Sequence, residues 1–286
     1  MRDEIFVTDI ALESAENVNL SAELTRENVG FGIEKRCLNV KTKEMAERVG
    51  KPMGIYVNFD CDGKIYSNLR AAKAIETNLA NSLRNILGVK LAGTTLIACL
   101  GNGNIAADSL GEKVFDKLTI TRKKNANLGV KRCVCAVSTS VLGKTGIESA
   151  ELISAVCKQV KPSCVIAVDS LATSSPRRVG LSFQLTSAGI TPGSGVGGDK
   201  ARIDKSVLGV PVVAVGVPTL LSLGTFLYAT MKDYVKAANY ELDEYKFRSI
   251  LAERLVSNLV VAPKDIDVYV ENASVVISNA LNLALN

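Results

Sequence analysis

The hydrophobic and polar positions of this chain alternate between two kinds of segment. Short uncharged runs of mainly apolar residues, a pattern typical of strands buried on both faces, recur four times. They occupy residues 94–100, 133–137, 163–168 and 211–216. Stretches with apolar residues at helical spacing lie between them, most clearly at 68–87 and 147–160. This alternation predicts an α/β fold with a mostly parallel central sheet flanked by helices.

The N-terminal part of the chain has a different pattern. Residues 30–66 are predicted to form a small β-rich subregion, with strands near 31–35 and 54–59. At 286 residues the chain is long enough to bury a substantial core. We therefore expect residues 1–286 to form a single domain.

One uncharged stretch, 207–231, is long enough to cross a bilayer. Glycine and proline residues divide it into shorter pieces, so we predict a buried strand, a turn and a helix instead. The N terminus is charged and has no apolar stretch behind it, which is unlike a targeting peptide. The expectation is a cytoplasmic protein without membrane contact.

The sequence contains no histidine, which excludes Ser-His and Cys-His nucleophiles and zinc sites built on imidazole. Seven cysteines are present, but none forms a CxxC pair and five lie within apolar runs. This pattern predicts reduced, buried thiols in a cytosolic compartment. We predict neither a metal ion nor an organic cofactor.

The net charge of +5 is mild, and the most basic segment is 117–132. This segment is interpreted as a solvated helix end and loop, with a docking surface for an acidic partner as the alternative. Aromatic residues make up only 5% of the chain, so the segment lacks the stacking side chains of a single-strand nucleic-acid groove. No direct nucleic-acid contact is expected.

Two glycine-rich motifs resemble phosphate-binding loops. The motif Gly101-x-Gly103-x-x-Ala106 lies between a strand and a helix, as a dinucleotide fingerprint does, but Asp108 stands where a pyrophosphate would bind. The motif Gly193-x-Gly195-x-x-Gly198 does not follow a strand directly. A nucleotide-binding Rossmann enzyme is therefore the weaker alternative. The second loop is either plainly flexible or a mobile loop near the active site.

The tripeptide Asp-Ser-Leu occurs twice, at 108–110 and 169–171, each time just beyond a predicted buried strand. Because the first and third strands of a βαβαβ unit are often neighbours, Asp108 and Asp169 are predicted to meet in one crevice. Two carboxyl groups that share a proton can activate a water and protonate a leaving amine, as in an aspartic peptidase. The alternative is that each aspartate only caps the following helix.

Six stretches, spread over nearly the whole chain, resemble the motifs of one known family in the same order. They are 8–13, 99–111, 167–172, 189–197, 209–219 and 277–282. The family they resemble is the germination protease of spore-forming bacteria.

The resemblance implies an endopeptidase that degrades small acid-soluble, DNA-protecting spore proteins during germination. It also implies synthesis as a zymogen that cuts itself near the N terminus, a homotetramer in the spore core, and a fold similar to hydrogenase maturation proteases. The family's two proposed catalytic aspartates fall on Asp108 and Asp169.

The remaining site residues are a predicted processing point, which rests on the resemblance, and a set of predicted substrate-binding residues. Residues 1–7 correspond to a short propeptide, and because the family cuts after Glu and before an apolar residue, Glu4–Ile5 is the predicted processing point. The residues predicted to bind substrate are Asn102, Asn104, Gly193, Ser194 and Gly195.

Three features depart from the family pattern. The run 220–223 lacks the Asp that usually follows Pro218-Thr219 by a few residues, the segment between Tyr234 and Glu244 is short, and few residues precede Thr8. A non-catalytic paralogue that only binds spore proteins is the second alternative.

Overall fold

The structure is a computed structural model, and it describes most of the chain. The described residues are 8–18, 20, 23–88, 93–123, 132–193, 201–253 and 259–285, with the backbone alone at 252 and 253.

One sheet contains all nine strands of the described residues. The strands are β1 (Thr25–Gly30), β2 (Ile33–Val40), β3 (Gly54–Cys61), β4 (Thr94–Cys99), β5 (Cys133–Ser138), β6 (Cys164–Thr173), β7 (Ser182–Thr186), β8 (Val212–Ser222) and β9 (Val260–Val261). Their order across the sheet is β1-β2-β3-β7-β8-β6-β4-β5, and β9 pairs with β8.

The sheet has a parallel part and an antiparallel part. Strands β8, β6, β4 and β5 pair in parallel, as the alternation of apolar runs and helical segments predicts. The β-rich N-terminal portion extends the same sheet, because β3 pairs antiparallel with β7, and β7 with β8. The predicted α/β fold with a sheet flanked by helices is confirmed.

Ten helices surround the sheet in the described part of the chain. They are α1 (Ala11–Asn17), α2 (Lys43–Val49), α3 (Leu69–Leu87), α4 (Leu110–Phe115), α5 (Leu142–Thr145), α6 (Ser149–Val160), α7 (Lys205–Leu208), α8 (Leu223–Ala237), α9 (Glu244–Glu253) and α10 (Ile266–Leu285). The predicted helix at 68–87 is α3, which begins where the Asn68 side-chain oxygen accepts hydrogen bonds from the N–H groups of Arg70 and Ala71.

Apolar side chains cover both faces of the parallel strands. On one face α3, α4 and α10 pack over alternate residues such as Ile97 of β4 and Ile166 of β6. On the other face α6 packs over the intervening residues, including Leu96 and Val165. Burial on both faces explains why these strands appear in the sequence as continuous apolar runs.

The uncharged stretch 207–231 contains the whole of β8 and the first part of α8, so it forms a strand followed by a helix, as predicted, and not a bilayer span. Across the described ranges, we find no helix with the length and apolar character needed to cross a membrane.

A buried carboxylate attaches α1 to the segment that follows β6. Glu13 is only 3% exposed and forms an ion pair with Arg178 at 2.6 Å. It also accepts hydrogen bonds from the hydroxyls of Thr8 and Thr173 and from the N–H of Ser174. Burial alone raises the pKa of Glu13, but Arg178 and these donors outweigh burial and hold the pKa below its ordinary value.

Replacement of Glu13 by Ala is expected to lower the free energy of unfolding by about 3 kcal/mol, because the half-buried Arg178 guanidinium loses its closest partner and the buried donors of Thr8 and Thr173 lose their acceptor. Since the pKa of Glu13 is depressed in the folded chain, its contribution is complete above the ordinary pKa of 4.5. The contribution is lost as the pH falls through the folded-state pKa. Urea unfolding at pH 7 and at pH 3 measures both effects.

Glu27→Ala is the matched control, because it removes a carboxylate from an ion pair with Lys35 in which the Glu27 side chain is 62% exposed. Its cost is expected to be about 0.5 kcal/mol or less. Equal losses for the two variants would contradict a structural role for the buried pair.

Candidate active site

The site begins where β6 runs beyond its neighbour β4. Strand β4 ends at Cys99, which is level with Val168, whereas β6 continues to Thr173 because it remains paired with β8. Asp169 therefore lies inside β6, opposite Gly216, and is 5% exposed. The prediction that β6 ends at Asp169 is wrong, and so is the alternative that Asp169 caps a helix.

The second aspartate is held by a tight turn after β4. The N–H of Asp108 donates to the carbonyl of Ile105 at 2.8 Å, and the carbonyl of Asp108 accepts from the N–H of Asn102 at 3.0 Å. Gly101 has a φ of +107°, and a Cβ at this position would lie 2.2 Å from the Asp108 carbonyl oxygen. Only glycine fits this turn.

The two Asp-Ser-Leu copies thus differ in structure. Asp108 ends a short 3-10 turn, and the residue that immediately precedes α4 is Ser109 rather than Asp108. The start of α4 lies against the end of β4, since a Cβ on Gly111 would be 2.1 Å from the carbonyl oxygen of Leu100. This close approach places Asp108 at the carboxyl end of the parallel strands.

Asp108 and Asp169 line one cavity of about 300 Å³. Asp169 is buried and Asp108 is half-buried. Both carboxyl groups are thus partly removed from water, a setting in which two neighbouring acids share a proton and can act on a bound water. Asp108 follows the carboxyl end of β4, and Asp169 lies in β6 just beyond the level at which β4 ends, in the region where α/β proteins usually bind their ligands.

The predicted substrate-binding residues have different positions. Gly193 lines the cavity, whereas Ser194 and Gly195 lie outside the described residues. The start of their loop is fixed by a two-bond bridge between Ile190 and Ile203.

Asn102 and Asn104 belong to the turn that holds Asp108. The side-chain oxygen of Asn102 accepts from the N–H of Asn104 at 3.1 Å. Neither asparagine is among the residues that line the cavity. A direct role for them in substrate binding stays a prediction, as does the processing point Glu4–Ile5, which lies outside the described residues.

The glycine turn leaves no room for a phosphate. A Cβ on Gly103 would overlap the carboxylate of Glu112, and the corresponding space at Gly101 is filled by Asp108. Acidic groups therefore occupy the positions that a dinucleotide fingerprint keeps open for an anion. This arrangement argues against the Rossmann alternative.

Asp9 also lines the cavity, and the prediction of the site missed it. Its N–H donates to the carbonyl of Ala172 at 2.9 Å, and its carboxylate accepts from the N–H of Ala172 at 2.8 Å. The available signal was the N-terminal motif at 8–13, but no local pattern relates residue 9 to a strand more than 160 residues away.

The cysteine thiols are poor candidates for a catalytic nucleophile. Burial raises the pKa of the Cys99 thiol to about 12, with a smaller contribution from Asp116, and none of the seven cysteines is in a disulfide. Thiols of this kind are neutral and unreactive near pH 7. Within the described ranges, no cluster of three or more Cys, Asp or Glu residues could hold a metal ion.

Part of the basic segment has a structural role. Lys117 pairs with Glu271 of α10 at 3.0 Å, beside the pair of Lys113 with Glu271 at 2.7 Å. Residues 124–131 of this segment lie outside the described residues, so docking of an acidic partner there stays a prediction.

Comparison with known proteins gives a consistent result. Residues 4–249 match the family model described as germination protease, Peptidase_A25. The chain is 34% identical to a germination protease of Caldanaerobacter subterraneus, over 97% of this chain and 93% of that protein. It is 30% identical to the germination protease of Bacillus subtilis, over 98% of this chain and 93% of the relative.

Among solved structures, the chain is similar to a NiFe hydrogenase maturation protease, HycI, from Thermococcus kodakarensis. The sequences are 17% identical, the TM-score is 0.32, and the match covers 55% of this chain and 97% of the other. Similarity at this level carries no argument about function.

Gly101→Ala is expected to lower the free energy of unfolding by at least about 2 kcal/mol, because the new methyl group collides with the Asp108 carbonyl in addition to the strain of a positive φ. Gly146→Ala is the control, since Gly146 has a φ of +71° and a Cβ added there would meet no described atom within 4 Å. The control is expected to lose only about 1 kcal/mol. Chemical denaturation measures both, and equal losses would show that the turn does not depend on contact with Asp108.

Proposed function

We propose that this chain, which belongs to the germination protease family and is therefore a peptidase, cuts small acid-soluble spore proteins with a water activated by Asp108 and Asp169. The observation that carries the proposal is that both residues line one cavity at the level where β4 ends.

The chemistry of the pair accounts for hydrolysis without another nucleophile. One aspartate, as the carboxylate, takes a proton from the water while the water oxygen bonds to the carbonyl carbon of the substrate. The other aspartate, as the acid, first donates a hydrogen bond to the carbonyl oxygen. A proton from the pair then passes to the leaving nitrogen as the C–N bond breaks. The products are a carboxylic acid and an amine, and the pair is left with one shared proton.

The composition of the chain supports this assignment. With no histidine in the sequence, a serine or cysteine has no imidazole to activate it. Burial raises the pKa of the Cys61 and Cys99 thiols to about 12, which makes thiolate attack unfavourable. Paired carboxyl groups need neither an imidazole nor a thiolate.

Self-processing at Glu4–Ile5 is part of the proposal and is supported by the attachment of Thr8. The Thr8 hydroxyl contacts the carbonyl of Ala172, which is three residues beyond Asp169 in β6. The three steps along β6 from Ala172 back to Asp169 span about 10 Å. The three residues between Thr8 and Glu4, if extended, span a similar distance. The bond therefore lies within reach of the cavity of its own chain.

The homotetramer and the location in the spore core are proposed from the family resemblance. Sedimentation of the purified chain measures the first, and fractionation of spores measures the second.

Asp108→Asn and Asp169→Asn are each expected to lower kcat for cleavage of a small acid-soluble spore protein by at least about 100-fold, because neither variant retains an acid pair able to share a proton. Cleavage is followed by gel electrophoresis and mass spectrometry, and circular dichroism checks the fold.

Asp116→Asn is the matched control, since Asp116 is an exposed aspartate beyond α4 and is not among the residues that line the cavity. It is expected to keep kcat within about twofold of the unaltered chain. Full activity in either cavity variant would overturn the aspartate mechanism, whereas inactivity of the unaltered chain would favour the non-catalytic binder.

Incubation of the purified full chain is expected to release residues 1–4 and leave a new N terminus at Ile5. The same incubation of Asp169→Asn is expected to leave Met1 in place, because the cut depends on the same acid pair. Intact-mass measurement over time distinguishes the two. Release of the same fragment from Asp169→Asn would point to a contaminating peptidase.

A further inference from the structure

The edge of β6 beyond β4 has one open position between two occupied ones. Backbone groups along a strand point alternately to its two neighbours, so Val168, Ser170 and Ala172 all face away from β8. The carbonyl of Val168 accepts from the N–H of Leu100 at 2.8 Å, and Ala172 is paired with Asp9 through both its N–H and its carbonyl. Ser170 lies in the gap between Leu100 and Asp9.

No described residue pairs with the backbone of Ser170 from this side. The N–H of Ser170 donates to the carboxylate of its own neighbour, Asp169, at 2.9 Å. Its carbonyl accepts no hydrogen bond on the open side from any residue that the structure describes. Ser170 lines the same cavity as Asp108 and Asp169. The gap in the sheet edge and the candidate active site are therefore one place.

The hydroxyl of Ser170 is a second unused group at this position. Its oxygen is buried and has no hydrogen-bond partner among the described residues. A buried hydroxyl without a partner is unfavourable, so rotation about χ1 toward a ligand in the cavity breaks no existing hydrogen bond. The hydroxyl is thus an unsatisfied hydrogen-bonding group in a residue that lines the cavity.

We propose that Ser170 is a substrate-binding residue that pairs with the backbone of the polypeptide to be cut, as one added step of strand on the free edge of β6. This inference rests on the proposed peptidase function. The Ser170 carbonyl accepts an N–H from the substrate, and the Ser170 hydroxyl donates to a substrate carbonyl. An added strand segment of this kind is a common mode of peptide recognition.

This mode of binding has a consequence for the substrate. Pairing with Ser170 requires an extended backbone, so the segment that is cut must not be helical when it enters the cavity. Because the contacts are to main-chain groups, they fix the position of the chain beside Asp169 and leave the choice of sequence to other parts of the cavity.

Ser170→Ala tests the hydroxyl. We expect KM for a small acid-soluble spore protein to rise about 3- to 10-fold, the value of one neutral hydrogen bond, while kcat stays within about twofold.

Thr219→Val is the matched control, because the Thr219 hydroxyl is also buried without a partner among described residues but is not among the groups lining the cavity. We expect the control to leave KM and kcat unchanged, and both variants to keep the thermal midpoint of the parent chain.

Binding is measured separately from cleavage in the Asp108→Asn background. A fluorescein-labelled small acid-soluble spore protein is expected to bind the double variant with Ser170→Ala about 3- to 10-fold more weakly than Asp108→Asn alone, by anisotropy. If the parent chain cuts its substrate and Ser170→Ala changes neither KM nor Kd, this inference fails and the proposed function stands.

If the parent chain cuts nothing but binding still depends on Ser170, the proposed function fails, and what stands of this inference is the binding contact of Ser170 with a polypeptide. Absence of any binding, or an equal effect of Thr219→Val, overturns the inference.

Discussion

The pairing of β6 with β8 beyond the end of β4 is the constraint on which the site depends. If β6 stopped level with β4, Asp169 would lie in a loop and its backbone would be free to move. Continued pairing through Thr173 keeps Asp169 on a strand whose other side, at Ser170, is not paired with any residue in the described part of the chain. The site therefore combines a fixed carboxyl group with a position on the sheet edge that no described residue pairs. An extended polypeptide can bind to such an edge through backbone hydrogen bonds, whereas a small molecule does not need one.

The N-terminal segment pairs with β6 two residues beyond Ser170. Asp9 pairs with Ala172, and Glu13 binds the next residues of the strand together with Arg178. The attraction within a buried ion pair offsets its loss of hydration only when further hydrogen bonds satisfy the carboxylate oxygens. Glu13 accepts such hydrogen bonds from Thr8, Thr173 and Ser174. The N-terminal segment thus packs within about three residues of Asp169 along the catalytic strand.

The sequence predicts the parts of this arrangement that depend on local pattern. The apolar run at 94–100 and the helix at 68–87 are found where expected, because burial on both faces or on one helical face determines those residue types. The extent of β6 was mispredicted, since Asp169-Ser170 resembles a strand end and only pairing with 217–221 of β8 continues it. The role of Asp9 at the cavity escaped prediction for the same reason: the contact is made across the whole fold.

Four acids line the cavity beside Ser170, namely Asp9, Asp108, Glu148 and Asp169, yet only two form the proposed catalytic pair. Glu148 caps the start of α6. The carboxylate of Asp9 accepts from the Ala172 N–H, and it faces the ammonium of Lys51, which donates to the carbonyl of Thr8. Burial lowers the pKa of Lys51, and the charges of Asp9 and Glu13 oppose that shift and favour the ammonium form. Asp9 is thus held by a backbone N–H and lies next to the charge of Lys51. Asp9 therefore serves to hold the strand edge, and in the proposed mechanism the shared proton is assigned to Asp108 and Asp169.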